Sequence, residues 1–175
     1  NLGRRNMIIN GAMQVAQRGT SSSNISSSGY YTVDRVDLAM STTAGRFTQS
    51  QVTDAPDGFS HALKFDCTTA DTSVAAGENC IVLWQLEGQN VQQMAKGTSS
   101  AKQVTVSFYA KANAAKTYVC ELKDFTNTRT VSKAFTVGTS YTRHEITFPA
   151  DTTGAITSDT AKQFAINIWL HAGST

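Results

Sequence analysis

Charge is scarce in this sequence. Charged residues make up 16% of its 175 positions, against about 25% in an average domain, so helices laced by ion pairs are not expected. Net charge is +2, and no Lys/Arg run is longer than Arg4-Arg5. A nucleic-acid-binding domain needs a basic stripe, so that class of partner is set aside. Cysteine is limited to Cys67, Cys80 and Cys120. An odd count closes no disulfide framework, and no C-x-x-C or Cys/His pair offers a zinc site. The three are expected to be small, mostly buried thiols, suited to assembly in a reducing cytoplasm. No apolar run approaches the roughly 18 residues of a membrane span, and no h-region of a signal peptide appears near the start. The sequence opens on Asn1 rather than Met, which suggests a piece of a longer or processed protein.

Catalytic patterns are missing as well. The glycines are too widely spaced for G-x-G-x-x-G or a Walker loop, and neither G-x-S-x-G nor H-E-x-x-H occurs. His61, His144 and His171 are dispersed, and Glu145 follows His144 on what reads as a strand, which sends the two to opposite faces. A glycosidase needs two carboxyl groups about 5–10 Å apart. Asp54 and Asp57 flank Pro56 and read as turn chemistry. Asp34 and Asp37, with Arg35 between, suit either a surface ion pair or part of a calcium site, without EF-hand spacing. No cofactor is expected, with structural calcium as the one alternative. No enzyme activity is expected.

Hydroxyl residues are abundant: Ser and Thr total 41. Thr suits strands and Ser suits turns, which favours a β-rich fold with many loops. Strand-like runs fall at Val36–Met40, Phe47–Val52, Ala62–Asp66, Cys80–Leu86, Val104–Ala110, Thr117–Leu122, Thr130–Val137, Arg143–Phe148 and Phe164–Leu170. Turn-forming stretches separate them, notably Asp54–Gly58, Lys96–Ser100, Val137–Ser140 and Asp151–Gly154. Short strands at this spacing predict an all-β, antiparallel sandwich. Near the start, Asn10-Gly11 sits between Met7–Ile9 and Met13–Ala16, the signature of a hairpin. Thr20–Gly29, rich in Ser, reads as a solvated connector. One short helix is expected over Glu87–Ala95, with Val91 and Met94 on one side and Gly97 to stop it.

Two strands alternate cleanly. Val104, Val106, Phe108 and Ala110 predict a core face opposite Thr105, Ser107, Tyr109 and Lys111. Phe164, Ile166, Ile168 and Leu170 do the same opposite Ala165, Asn167, Trp169 and His171. The expected wet faces therefore carry aromatic rings beside polar groups. A sugar offers an apolar C–H face and a hydroxyl rim, and wants a flat ring with amides or carboxylates around it. Trp169 with Asn167 and His171 offers that set, and Tyr109 with Ser107 and Lys111 offers a weaker version. Packing under a loop or at a subunit interface is the alternative for Trp169. Trp84 reads as core, and Tyr30-Tyr31 as a loop anchor or an interface contact.

Several segments carry a resemblance. Asn6–Met13 resembles the opening of jelly-roll domains of the carbohydrate-binding-module type, and Val104–Ala112 and Ser140–Phe148 resemble two later strands of that pattern. Tyr109 and Tyr141 stand where that family usually has Trp. The longer run Arg4–Gly19 is similar to the start of structural proteins of tailed bacteriophages, particularly marine ones, usually labelled tail fibre. GYYTVDR (29–35), DAPDGF (54–59), LKFDCTTAD (63–71), QLEGQNVQ (85–92) and DTTGAI (151–156) extend that similarity along the chain. The resemblance implies a jelly-roll sandwich over 30–175, with 1–29 as an N-terminal strand or arm and Ser-rich loop of the same domain. It implies further strands past Thr175. It also implies a trimeric virion component, assembled in the host cytoplasm, that contacts other virion proteins and attaches to a host surface polysaccharide. The alternatives are a purely structural fibre head, collar or decoration, and a polysaccharide depolymerase.

Overall fold

The computed structural model describes residues 6–174 of the chain. Arg4, Arg5 and Thr175, which enter the sequence reading, lie outside them. The elements in order are β1 (Ser21–Ile25), β2 (Asp37–Ser41), β3 (Arg46–Val52), β4 (Ala62–Thr69), β5 (Asn79–Glu87), α1 (Gly88–Val91), β6 (Val104–Ala110), β7 (Lys116–Asp124), β8 (Arg129–Val137), β9 (Thr142–Phe148) and β10 (Lys162–Ala172). A 3-10 turn over Gln92–Met94 continues α1. The strands form sheets ordered β1-β3-β4, β2-β5-β10-β7-β8 and β6-β9. Strand pairing is antiparallel, and the architecture is an antiparallel β-sandwich. Each strand-like run of the sequence coincides with a strand, β6 to the residue, and the expected helix is the α1 pair of turns. Among the described residues no helix is long and apolar enough to cross a membrane.

Two compact units make up the chain. One comprises Ile9–Leu83 and the described residues from Ile168 onward. Its core holds Ile25, Val33, Val36, Leu38, Phe47, Cys80 and Val82. Gln49 is fully buried there, and its Oε1 accepts from the Thr32 N–H (2.9 Å) and the Thr32 hydroxyl (2.6 Å). The other unit comprises the described residues up to Ile8 and Trp84–Asn167. Its core holds Leu86, Val91, Met94, Cys120, Leu122, Val137, Ile146, Phe148, Ile156, Phe164 and Ile166. Burying side chains of this size is worth about 1.5–3 kcal/mol each.

Three local expectations are corrected. Asn10-Gly11 does form a turn, with the Met13 N–H donating to the Asn10 carbonyl (2.9 Å), but no paired strands flank it. The Asn10 side chain takes the backbone groups that a hairpin ladder would use. Its Nδ2 donates to the Val15 and Asp34 carbonyls, and its Oδ1 accepts from the Val15 N–H. The Ser-rich stretch is not simply a connector, because Ser21–Ile25 is strand β1, paired with β3. Cys67 is exposed on β4 rather than buried, its thiol donating to the Thr69 carbonyl (3.3 Å).

Candidate functional site

Strands β6 and β9 form a two-stranded ribbon with an unbroken register from Val104↔Phe148 to Ala110↔Thr142. Period-two alternation gives this ribbon two chemically distinct faces. The inner face carries Val104, Val106 and Phe108 of β6 opposite Phe148, Ile146 and His144 of β9. Phe108 meets Phe135 of β8 edge-on, with ring centroids 5.2 Å apart, and stacks on the His144 ring at 5.5 Å. Phe135 also touches the rings of His144 (5.3 Å) and Tyr118 (6.1 Å). The imidazole thus serves as one more ring in an aromatic cluster, and its buried Nε2 makes no hydrogen bond. The β6 alternation is as expected, but Val104, Val106 and Phe108 are only half-buried, whereas Phe164 and Ile166 of β10 are fully buried.

The outer face of the ribbon is polar and exposed. Thr105 bonds Thr147 across it through their hydroxyls (2.8 Å), Ser107 lies opposite Glu145, and Tyr109 lies opposite Arg143. Arg143 and Glu145 are joined by an ion pair. Tyr109 is 42% exposed, one of the exposed large hydrophobic side chains among the described residues. A flat ring here is rimmed by a guanidinium, a carboxylate and hydroxyls. Neither Arg143 nor Glu145 was legible as a neighbour of Tyr109 in the sequence, because cross-strand register fixes that proximity.

The second expected wet face is only partly wet. On β10, Ala165 is fully buried and Asn167 is 2% exposed. The Asn167 amide donates to Glu121 Oε1 of β7 at 2.6 Å, and its buried Oδ1 has no partner. A polar residue on the alternate face therefore faces a neighbouring carboxylate instead of water. Trp169 and His171 are half-buried, and the His171 Nε2 is buried without a hydrogen bond. Asn167 belongs to one compact unit, while Trp169 and His171 belong to the other. Tyr109 is on a different sheet from these three residues.

The other candidates resolve as packing devices. Asp34 accepts from the Gln17 N–H (3.2 Å) and pairs with Arg18 (3.4 Å). Asp37 lies on β2, opposite Leu83 of β5. Among the described residues no group of three or more His, Cys, Asp or Glu side chains could hold a metal ion. The Arg18 guanidinium lies 5.4 Å from the Tyr30 ring centroid. The Tyr31 hydroxyl donates to the Ser27 carbonyl (2.7 Å), so Tyr31 anchors the Ser-rich loop. Trp84 is half-buried on β5, with its Nε1 buried and unbonded. Burial pushes the Cys80 and Cys120 thiols up to about 12, so neither is a thiolate near neutral pH.

One polar cluster was not revealed by the sequence. The Lys96 ammonium lies 2.7 Å from Asp124 Oδ2 and 3.1 Å from Asp151 Oδ2, and it donates to the Thr153 and Gly154 carbonyls, both at 2.8 Å. Asp124 is 2% exposed and also accepts from the Asn127 N–H and Nδ2. Asp151 takes two bonds from Arg129. Burial would raise the Asp151 pKa, but the Thr153 N–H, Arg129 and Lys96 outweigh it and hold the carboxyl at about 2. Next to Lys96, Gly97 has φ +81 and donates its N–H to the Asp151 carbonyl (2.9 Å). A Cβ there would sit 2.2 Å from the Ala155 nitrogen, so only glycine fits. A depression of about 290 Å³ lies beside the cluster, between Val91 and Ile156. Its polar lining is already engaged, Gln92 Nε2 with the Gly88 and Ile156 carbonyls and Lys96 as above. The cluster pins the 151–156 turn, and its two carboxylates share a cation instead of flanking an open reaction space.

No family model matches the sequence, and no curated protein matches it. Among solved structures, the chain is similar to the enzymatically active domain of tailspike protein 4 of bacteriophage CBA120. Identity is 12% and the TM-score is 0.50, and the match covers 97% of this chain and 19% of that one. At this identity the likeness is one of fold, and the chain spans about a fifth of the length of the tailspike chain.

Proposed function

We propose that this chain is a tail-associated virion module that binds a cell-surface glycan on the outer face of the β6–β9 ribbon. The observation that carries this reading is the exposed Tyr109 ring, set opposite Arg143 and beside Ser107 and Glu145. An aromatic plane supplies stacking area for the C–H face of a sugar, and the charged and hydroxyl groups suit its rim. The virion association is supported by the fold likeness to a phage tailspike chain and by the resemblance of Arg4–Gly19 and the later segments to tail-fibre-type proteins. That resemblance also motivates a jelly-roll arrangement, a homotrimer and contacts with other virion proteins.

Trp169 and His171, both half-buried on β10, form a second proposed sugar contact. Asn167 enters this reading as the partner of Glu121 rather than as a group that touches sugar. A single stacked ring contributes on the order of 1 kcal/mol beyond its buried area, so one copy would bind weakly. Linked copies raise avidity by about 10² to 10⁴.

The test is retention of the labelled chain on surfaces coated with host capsular or lipopolysaccharide glycans, with soluble glycan as competitor. Competable retention is expected. A folded chain that is retained on none of them would make it a structural component. The similar structure is described as an enzymatically active domain, so the same reactions should be assayed for new reducing ends. Steady release would replace binding by cleavage.

A further inference from the structure

Like charges repel, and in this chain two of them converge on one aromatic ring. The Lys123 ammonium lies 5.2 Å from the Phe125 ring centroid, and the Lys162 ammonium lies 4.5 Å from it. The two cations are therefore within about 10 Å of each other, one screening length at roughly 0.1 M salt. The strands bring them together. Lys123 is on β7, Lys162 opens β10, and Phe125 directly follows the last residue of β7. The Phe125 N–H donates to the Gln163 carbonyl (2.9 Å), which ties the ring's segment to the start of β10. Lys123, Phe125 and Lys162 belong to the same compact unit.

The carboxylates nearest in the chain are engaged elsewhere. Glu121, two residues before Lys123, accepts from the Asn167 amide (2.6 Å). Asp124 is paired with Lys96. Asp159 accepts from the Ala161 N–H (3.1 Å) and from Gln163 Nε2 (2.8 Å). Among the described residues neither Lys123 nor Lys162 forms an ion pair with a carboxylate. A cation over a partly exposed ring is held weakly, so Phe125 places the two ammoniums without neutralising them. Phe125 and Lys123 are half-buried and Lys162 is exposed. Thr130 of β8, also exposed, is the direct cross-strand partner of Lys123, which puts a hydroxyl on the same face.

We propose that Lys123, Lys162 and Thr130 form a binding site for a phosphate group, with Phe125 as the residue that positions both ammoniums. A tetrahedral oxyanion has enough oxygens to accept from two ammoniums and a hydroxyl at once, and charge-assisted bonds of this kind are the strong ones. Each lysine brings a compact point charge with three rotatable donors. Long side chains lose entropy on binding, and contact with the ring reduces that loss beforehand. The phosphate is free or is carried as a monoester on a sugar. The site is built on β7, β8 and β10, and it does not rest on the reading of the β6–β9 ribbon as a glycan site.

The test is an NMR titration of the full chain with inorganic phosphate near neutral pH, against sodium chloride at matched ionic strength. The lysine ε-CH₂ signals and the backbone amides are followed together. Shifts at Lys123, Phe125, Thr130 and Lys162 should saturate with phosphate and stay put with chloride. A chain with both Lys123→Gln and Lys162→Gln should bind at least about tenfold more weakly. Phe125→Leu keeps both charges. It should weaken binding a few-fold and remove the ring-current displacement of both ε-CH₂ signals, which a merely structural role would not predict for two lysines at once. Glucose 6-phosphate is titrated beside glucose and inorganic phosphate. Tighter binding of the ester, with glucose inert, supports a sugar-borne phosphate, and equal affinity supports the free ion. No saturable shift at tens of millimolar phosphate overturns the proposal. So does an equal response to chloride, or undiminished binding by the folded double variant.

Discussion

Lys96 and Asp124 form a buried ion pair, Nζ to Oδ2 2.7 Å, with side chains 10% and 2% exposed. Such a pair is weak evidence of net stabilisation, but removing one partner leaves the other charge buried and uncompensated. Lys96→Met should therefore cost about 3–5 kcal/mol, read as a lower urea midpoint at unchanged slope. A loss below about 1 kcal/mol would mean that solvent reaches Asp124 once the ammonium is gone.

Acid should find the same cluster. The Asp151 carboxyl is held at about 2 in the folded chain, below the ordinary value of about 3.9 for an unfolded Asp. A depressed folded pKa contributes stability that is complete above the unfolded value and is lost as pH falls through the folded one. The Asp151 contribution should fade between about pH 4 and about pH 2, and Asp151→Asn should flatten the urea midpoint across that window. An unchanged slope in the variant would place the acid sensitivity elsewhere.

Two phenylalanines of the ribbon should behave differently. Phe148 is fully buried on β9, and Phe148→Ala should cost about 3–5 kcal/mol. Phe108 is half-buried on β6, and Phe108→Ala should cost roughly half as much, since less apolar area leaves water on folding. Equal losses would show that β6 is covered in solution as well as β9 is.

The strands were legible because apolar alternation with turn chemistry between runs has few other solutions, and the residues of β6 show this most plainly. β1 was not, since Ser21–Ile25 has no apolar period and becomes a strand through pairing with β3. Asn167 misled for a related reason. Periodicity assigns a residue to a face but does not say what covers that face, and Glu121 meets it there. The Lys96 cluster depends on residues from three separate segments, and no local pattern announces it. Tyr109 was legible as an exposed ring, while its Arg143 and Glu145 surroundings came only with the register.

The thiols offer a check on burial. Cys67 is exposed, whereas Cys80 and Cys120 are buried, with thiols pushed up to about 12. A thiol reagent should modify Cys67 alone in the native chain and all three cysteines in denaturant. Native labelling of Cys80 or Cys120 on the timescale of Cys67 would mean that the core opens locally.

The most direct test of the proposed function is Tyr109→Ala. The exposed ring should be removable with little change in melting temperature, since surface changes usually fall within about 0.5 kcal/mol. Titration of the chain with the retained polysaccharide, followed by NMR shifts of the β6 and β9 amides, should show perturbation centred on Ser107, Tyr109, Arg143 and Glu145 in the parent chain. In the variant binding should be weaker by about tenfold, the equivalent of roughly 1.4 kcal/mol. Undiminished binding by a folded Tyr109→Ala chain, with shifts away from the ribbon, would contradict the account.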